Sequence, residues 1–514
     1  MSRHTIGSRI AVTLAALASA ALYAISFPPL AFAPAAWVAL CPWLLAIRRA
    51  TMGRVVLRTM LFTVVATYAT VGWTPRVVAE YYGRSPLSGW LIFAGVVIFI
   101  VAPQMLAFAV AYRTLARRPG ALLPLFAAAA WVAAELGRDR LTPDPFLLLG
   151  YSQAVAPRFI QIADLAGVYG VGFVVVAVNV AIVELGAALG TARRLTRPPA
   201  VGAALAGLLV VASATYGSIR LWAEERAASD RPLTRVALVQ GNLDLGAQWR
   251  SEFYGLNLEA YLRLTAQAAD APSLVIWPEN ALTFFVEIEP LYQQAIGRVL
   301  KYIGAELIAG GPHQTDGGLY HNSAFLISAE GRLLGRYDKR RLLPFAEYFP
   351  FAGVDLLRRN FGRVREFSGG GHTRPLPTAA GPAGVLICNE GMFPEIASER
   401  VAAGAAFLVH LSNDGWINDR RYAATALGMS IFRAVEQRRY LLRASTSGPS
   451  AIVEPSGRVA VHAEESAASV IAGSFTPLYG RTPYARIGDA FAAACAVIVA
   501  AVMILRAVQP GPGR

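Results

Sequence analysis

Of the chain's 514 residues 55% are hydrophobic and 16% charged, and its mean hydropathy of +0.45 excludes an ordinary soluble protein; much of it belongs in lipid. The net charge of +14 raises nucleic acid as a partner, but the Lys and Arg residues sit in short clusters between apolar runs and form no stripe or tail. That pattern argues against nucleic acid and for orientation in a membrane. Three cysteines, Cys41, Cys388 and Cys495, are too few and too dispersed for a disulfide framework or a thiolate metal site.

A bilayer core needs about 20 apolar residues as helix. Spans are expected near Ile10–Phe27, Pro34–Ile47, Val56–Trp73, Leu87–Val110, Ala121–Leu136, Ile162–Leu189 and Val201–Trp222, with an eighth over Ile487–Leu505. The second and fifth are short for a crossing. The first resembles a secretion signal only superficially, since its apolar stretch is long and lacks a clear small-residue cleavage pattern. Loop charge alternates as orientation requires. Arg3 and Arg9, then Arg48, Arg49, Arg54 and Arg58, then Arg113, Arg117 and Arg118, then Arg193, Arg194 and Arg197 mark one side, which the rule makes cytoplasmic. Seven crossings deliver everything after Trp222 to the opposite side. The expected organisation is a membrane domain over 1–222, a globular domain over 223–484 and a last helix with a short tail over 485–514.

The middle segment, about 250 residues long, suits one domain. Short apolar or β-branched runs at Arg235–Gln240, Leu274–Trp277, Leu307–Gly310, Ala324–Ile327, Gly384–Ile387 and Phe407–Leu411 read as strands. Helical stretches at Tyr254–Ala269 and Pro290–Ile303 lie between them, which makes the domain α/β with both sheet faces covered.

Three residues in this domain follow strands: Glu279 in LVIWPEN, Lys339 in YDKRRLLPFAEYFP and Cys388 in GVLICNEGMFP. Strand ends are where α/β sheets assemble sites from residues distant in sequence. Cys388 is the lone thiol of the polar part and reacts as thiolate, so it needs a base and a nearby positive charge. Glu279 supplies the first by residue type and Lys339 the second, with the backbone N–H of Asn389 as a further donor to an oxyanion.

The order Glu, Lys, Cys in the contexts WPEN, Y-x-K-x-x-L-x-P-F-x-E-Y and C-x-E resembles the nitrilase superfamily. Eight spans around one such domain resemble, within it, the apolipoprotein N-acyltransferases. Further matching fragments are SFPPLAF, LGYSQ at Leu149–Gln153, VYGV at Val168–Val171, LVQGN at Leu238–Asn242, SNDGW at Ser412–Trp416 and RAVEQRRYLLRASTSG at Arg433–Gly448. Each fragment is weak alone, and the ordered set covers nearly the whole chain.

The resemblance implies a polytopic α-helical membrane domain of about eight spans plus an α/β domain of nitrilase-like αββα sandwich type, on the periplasmic side of a bacterial inner membrane. It implies that Cys388 attacks the acyl ester of a phospholipid, and that the amine of a diacylglyceryl-modified apolipoprotein discharges the resulting thioester. No cofactor and no metal are implied. Glu347 matches the family's second glutamate near the lysine. With Glu390, two residues past the cysteine, it would hold Lys339 charged and oriented. Trp249 falls where the resemblance places an aromatic at the substrate entrance, and Trp416 follows the Asn413–Asp414 loop near the site. The chain departs from the pattern at Asn389, where an aromatic is expected after the nucleophile.

Plainer readings stand beside these. Glu279 alone would be a solvated loop carboxylate, the DKRR run around Lys339 a patch for lipid headgroups, Cys388 a small buried hydrophobe, and Glu347 and Glu390 surface ion pairs. Trp249 and Trp416 would be interfacial anchors. His313, His321, His372, His410 and His462 show no metal-ligand spacing and read as core or loop residues. A membrane-tethered amidase or nitrilase is the competing enzyme, and a binding-only membrane protein the competing non-enzyme. Seven spans before the domain exceed what a tether needs.

Overall fold

The computed structural model describes residues 3–142, 145–192, 197–229, 231–243, 251–268, 271–350 and 366–508. The chain forms two compact units, one of Met1–Arg76, Pro86–Leu221 and Ile487–Arg514, the other of Val77–Ser85 and Trp222–Arg486.

The first unit is helical. Five described helices are long and apolar enough to cross a membrane by length and composition: Met52–Val71, Pro86–Ala116, Ala163–Gly190, Arg197–Ala228 and Ala490–Ala507. That is fewer than the eight expected. The stretches Thr13–Ile25 and Ala33–Ile47 are apolar but shorter. The second of these divides at Leu40 into Ala33–Ala39 and Cys41–Ile47. Leu123–Leu141 ends in the polar run Glu135–Arg140.

Three buried polar groups inside this unit find partners, as an apolar surround favours. Asn179 caps the break at Leu40, accepting the Leu40 N–H at 2.8 Å and donating to Ala36 O at 2.9 Å. Glu184 receives a two-pronged bond from Arg48 at 2.8 and 2.6 Å, and Glu135 accepts the Leu149 N–H at 2.8 Å. Trp43 stacks on Phe62 and Trp131 meets Phe108 edge-on, filling the unit's centre.

The second unit holds two six-stranded sheets. Strands β1 (Thr234–Gln240), β2 (Leu274–Ile276), β3 (Glu306–Gln314), β4 (Tyr320–Ile327), β5 (Leu333–Asp338) and β12 (Ser469–Phe475) make one, in the order β12-β1-β2-β3-β4-β5. Strands β6 (Leu376–Thr378), β7 (Gly381–Ile387), β8 (Phe407–Ser412), β9 (Leu441–Ser445), β10 (Ala451–Val453) and β11 (Val459–His462) make the other, in the order β11-β10-β9-β8-β7-β6. β1, β2 and β3 run parallel, as do β7, β8 and β9, so their carboxyl ends gather at one rim of each sheet.

Alternation along the strands decides the layers. Val236 and Leu238 of β1 with Ile276 of β2 face Val385 and Ile387 of β7, Val409 of β8 and Leu442 of β9 in the core between the sheets. Their neighbours Ala237, Val239, Val275 and Trp277 face outward, under helices Tyr254–Ala266 and Pro290–Ile303. On the other sheet, helices Pro394–Ala402 and Arg420–Gln437 cover β7 and β9. The result is the α-β-β-α layering expected of the domain, with parallel strands buried on both faces.

Candidate active site

Glu279 lies three residues beyond β2, in a loop bent by Asn280 at φ +59°. The loop is pressed onto β3. A side chain at Gly310 would bring its Cβ to 2.7 Å from both Glu279 Cα and Pro278 O, so only glycine permits this approach. Lys339 follows β5 directly, and its N–H donates to Asn322 O of β4 at 2.8 Å. Cys388 follows β7 and opens the short helix Cys388–Met392 with φ +53°. That left-handed conformation costs a non-glycine residue about 1–2 kcal/mol, and such strain concentrates at functional positions.

The fold brings the three together in a buried cluster: Glu279 is 4% exposed, Lys339 1% and Cys388 7%. Glu279 lies near enough to the Cys388 thiol for its charge to raise the thiol's pKa. Lys339 Nζ donates to Glu347 Oε2 at 2.7 Å. That same oxygen accepts the Leu343 N–H at 2.7 Å.

A residue that sequence reasoning missed ties the carboxylates to each other. Asn322 donates one amide hydrogen to Glu279 Oε1 at 2.8 Å and the other to Glu347 Oε1 at 2.9 Å. Both donors used in this way fix which end of the amide is nitrogen. The available signal was a polar cluster, His321, Asn322 and Ser323, opening a strand that ends apolar, YHNSAFLI.

Two carboxylates against one ammonium leave the pocket with excess negative charge, and the ionisations follow. Burial pushes Glu279 up from the ordinary glutamate value, against the opposing pull of Lys339. Burial pushes the Cys388 thiol well up too, with the Glu279 charge adding to it and Lys339 opposing. Burial by itself would depress Lys339, but the charges of Glu347, Cys388 and Glu279 outweigh it and hold the ammonium above its usual pKa. Both shifts favour the protonated forms of the lysine and the thiol.

Glu390 reaches Lys339 by a different route from the one expected. Its Oε1 accepts the backbone N–H of Arg340 at 2.9 Å and of Arg341 at 3.1 Å, with the Tyr337 hydroxyl at 2.7 Å. Its Oε2 accepts the Ile387 N–H at 2.9 Å. One fully buried carboxylate thus fastens the end of β5, which carries Lys339, to the end of β7, which carries Cys388. The buried Arg400 guanidinium, 4.3 Å over the Tyr337 ring, lies beside it.

Asn413 turns its side chain inward to accept the Gly415 N–H at 3.2 Å, a local turn rather than a projection into the site. Its neighbour Asp414 is ion-paired with the buried Arg443 and accepts the Ser412 hydroxyl at 2.7 Å. Trp416 is half-buried and packs on Tyr81 at 5.3 Å between ring centroids. Tyr81 belongs to Val77–Ser85, the segment that joins this unit from far upstream, and its neighbour Tyr82 donates to Phe345 O at 2.7 Å. Asn389 is buried. Trp249 lies outside the described residues.

A thiol, a carboxylate and an ammonium buried together at strand ends in a four-layer α/β domain are suited to acyl transfer through a covalent intermediate. The match to a family model agrees: carbon-nitrogen hydrolase, over residues 235–483. That is the class of the second unit. A second family model, the apolipoprotein N-acyltransferase N-terminal domain, matches residues 19–181.

The apolipoprotein N-acyltransferase of Geobacter metallireducens is 35% identical over 96% of this chain and 95% of its own length. That of Azotobacter vinelandii is 31% identical over 97% and 96%. Among solved structures, the carbon-nitrogen hydrolase of Helicobacter pylori G27 aligns with 47% of this chain and 89% of its own, at 16% identity and a TM-score of 0.37. The chain belongs to the apolipoprotein N-acyltransferase family and is a membrane enzyme of lipoprotein N-acylation.

Proposed function

We propose that the chain transfers a fatty acyl group from a membrane phospholipid, through a thioester on Cys388, to the N-terminal amine of diacylglyceryl-cysteine in apolipoproteins. Glu279 takes the thiol proton as sulfur attacks the ester carbonyl. The S–C bond forms, and the carbonyl oxygen becomes an oxyanion facing Lys339 and the Asn389 N–H. As the oxyanion collapses, the C–O bond breaks and the proton on Glu279 passes to the departing alkoxide, releasing lysophospholipid. In the second half the α-amine attacks the thioester, Glu279 takes a proton from the amine, and the thiol leaves with it as the amide forms. Lysophospholipid leaves before the amine reacts with the acyl-enzyme, so the kinetics are ping-pong.

The observation that supports this most is the buried cluster itself: Lys339 held at 2.7 Å by Glu347, with Glu279 and Cys388 buried in the same site. A thioester is activated enough to acylate an amine, and the apolar helices provide a setting in which both lipidated substrates dissolve.

The proposed placement is the inner membrane of a bacterium, with eight crossings and the catalytic domain on the periplasmic side. Residues 1–222 form the membrane domain, 223–484 the catalytic domain and 485–514 the last span and a cytoplasmic tail. The arginine-rich loops support this orientation.

The test is the mass of the Cys388 peptide after purified enzyme meets phospholipid, with Cys388→Ala as control. A fatty acyl adduct, discharged by a diacylated lipopeptide amine, is expected. An unmodified cysteine in folded enzyme across several headgroups, or discharge by water alone, overturns the proposal.

A further inference from the structure

His410, on β8, points its imidazole at the backbone of the candidate nucleophile. Its Nε2 lies 2.8 Å from Cys388 O, while its Nδ1 lies 3.1 Å from Arg443 Nη1 and 3.1 Å from Ser430 Oγ. A guanidinium can only donate, so Nδ1 is the acceptor. Nε2 therefore carries the ring's single proton and donates it to the Cys388 carbonyl. Arg443 is in turn ion-paired with Asp414, and all three side chains are at most 3% exposed. The ring is locked from the other side as well, since a Cβ at Gly391 would lie 2.4 Å from it.

The peptide bond is planar and trans, so the Cys388 C=O and the Asn389 N–H point in opposite directions. Pinning the oxygen toward His410 therefore aims the Asn389 N–H away from it. That amide sits in the first turn of helix Cys388–Met392, where N–H groups have no acceptor within the helix. We infer that His410 is a positioning residue for the oxyanion: by holding the Cys388 carbonyl, with Arg443 and Asp414 behind it, it orients the Asn389 N–H toward the acyl oxygen of the substrate. The inference rests on the proposed use of Cys388 and deepens it. His410 never touches substrate and passes no proton. Burial and the Arg443 charge hold its pKa down at about 3, so the ring stays neutral throughout the working range.

Alkylation and acylation of the same sulfur separate this role from a general structural one, because iodoacetamide displacement builds no oxyanion and acyl transfer does. His410→Asn keeps an amide acceptor for Arg443 but is too short to reach Cys388. It is expected to acylate from phospholipid at about a tenth of the wild-type rate or less, since losing one oxyanion donor costs about 10²–10³-fold, while alkylating at close to the wild-type rate. His410→Gln, whose amide nitrogen reaches the Nε2 position, restores acylation. Should the asparagine variant not fold, Gly391→Ala displaces the same ring and is read identically.

Equal loss of both reactions, or loss of neither, overturns the inference. A long-chain p-nitrophenyl ester serves as a parallel acyl donor. If the wild-type enzyme takes no acyl group from phospholipid, the proposed substrate fails, and the ester still tests His410.

Discussion

Lys339 Nζ and Glu347 Oε2 lie 2.7 Å apart with the lysine fully enclosed, so Glu347 is the partner that keeps the ammonium charged. Glu347→Gln keeps the shape and removes the charge. Breaking a buried pair from one side costs about 3–5 kcal/mol, and the remaining Glu279 charge places this variant at the lower end. A fall in the thermal unfolding midpoint together with a tenfold or greater loss of acyl-adduct formation on Cys388, about 1.4 kcal/mol per tenfold, is the expected pair of results. An active, equally stable variant would remove Glu347 from the machinery.

The pH dependence follows from Glu279. Its pKa is raised by burial, and the base form is lost as pH falls through that raised value. The acid limb of the acylation rate is therefore expected above the ordinary glutamate value of about 4.3. Glu279→Gln should abolish this limb along with nearly all activity. For stability, a carboxyl raised in the folded state contributes most below its unfolded pKa, and that contribution is lost as pH rises through the folded one. Lys339, also raised, keeps its full contribution below its unfolded value near 10.4 and loses it progressively as pH rises from there towards the folded value. Rate and unfolding midpoint measured from pH 4 to about 11 check both.

Thiol reactivity gives a third measurement. Burial and Glu279 hold the Cys388 thiol up, and Lys339 opposes them. Alkylation by iodoacetamide should therefore climb steadily with pH above neutrality, and Lys339→Met should slow it about tenfold or more at pH 8, since each pKa unit is about a tenfold change in thiolate. A thiol alkylated at full speed at pH 6 would show the resting site to be a thiolate instead.

Asn322 and Gly310 carry the fourth prediction, because neither is chemically active yet both place Glu279. Asn322→Ala leaves two buried carboxylates each short of a donor, a loss of about 1–3 kcal/mol per group. Gly310→Ala drives a methyl into the backbone of the Glu279 loop. Both variants should reduce Cys388 acylation by at least about tenfold, a barrier increase of about 1.4 kcal/mol, with the circular dichroism of the folded domain retained. Normal acylation by Gly310→Ala would mean that the Glu279 loop is free to move.

What the sequence determined by itself was whatever is local or ordered along the chain. Apolar length marked spans near Val56–Trp73, Leu87–Val110, Ile162–Leu189, Val201–Trp222 and Ile487–Leu505, each overlapping a long apolar helix of the structure, because helix length in lipid is a count of consecutive residues. Short apolar runs located β1, β2, β3, β4, β7 and β8 because strands buried on both faces are nearly continuous in hydrophobicity. The order Glu279, Lys339, Cys388 and the spacing to Glu347 were legible as a pattern.

Polar and edge strands such as β5, β11 and β12 were not, since half-exposed residues blur the alternation that would reveal them. Nor could the sequence show that Asn322 bridges two carboxylates, that Glu390 bonds the backbone beyond Lys339, or that His410 holds the Cys388 carbonyl. Each of those bonds joins residues 22 to 50 positions apart, from different elements and loops. Strand pairing within each sheet places Asn322 and His410, and packing of one sheet on the other places Glu390; only these set the distances, because a hydrogen bond depends on positions in space to a few tenths of an ångström, and residue order along a strand carries no such information.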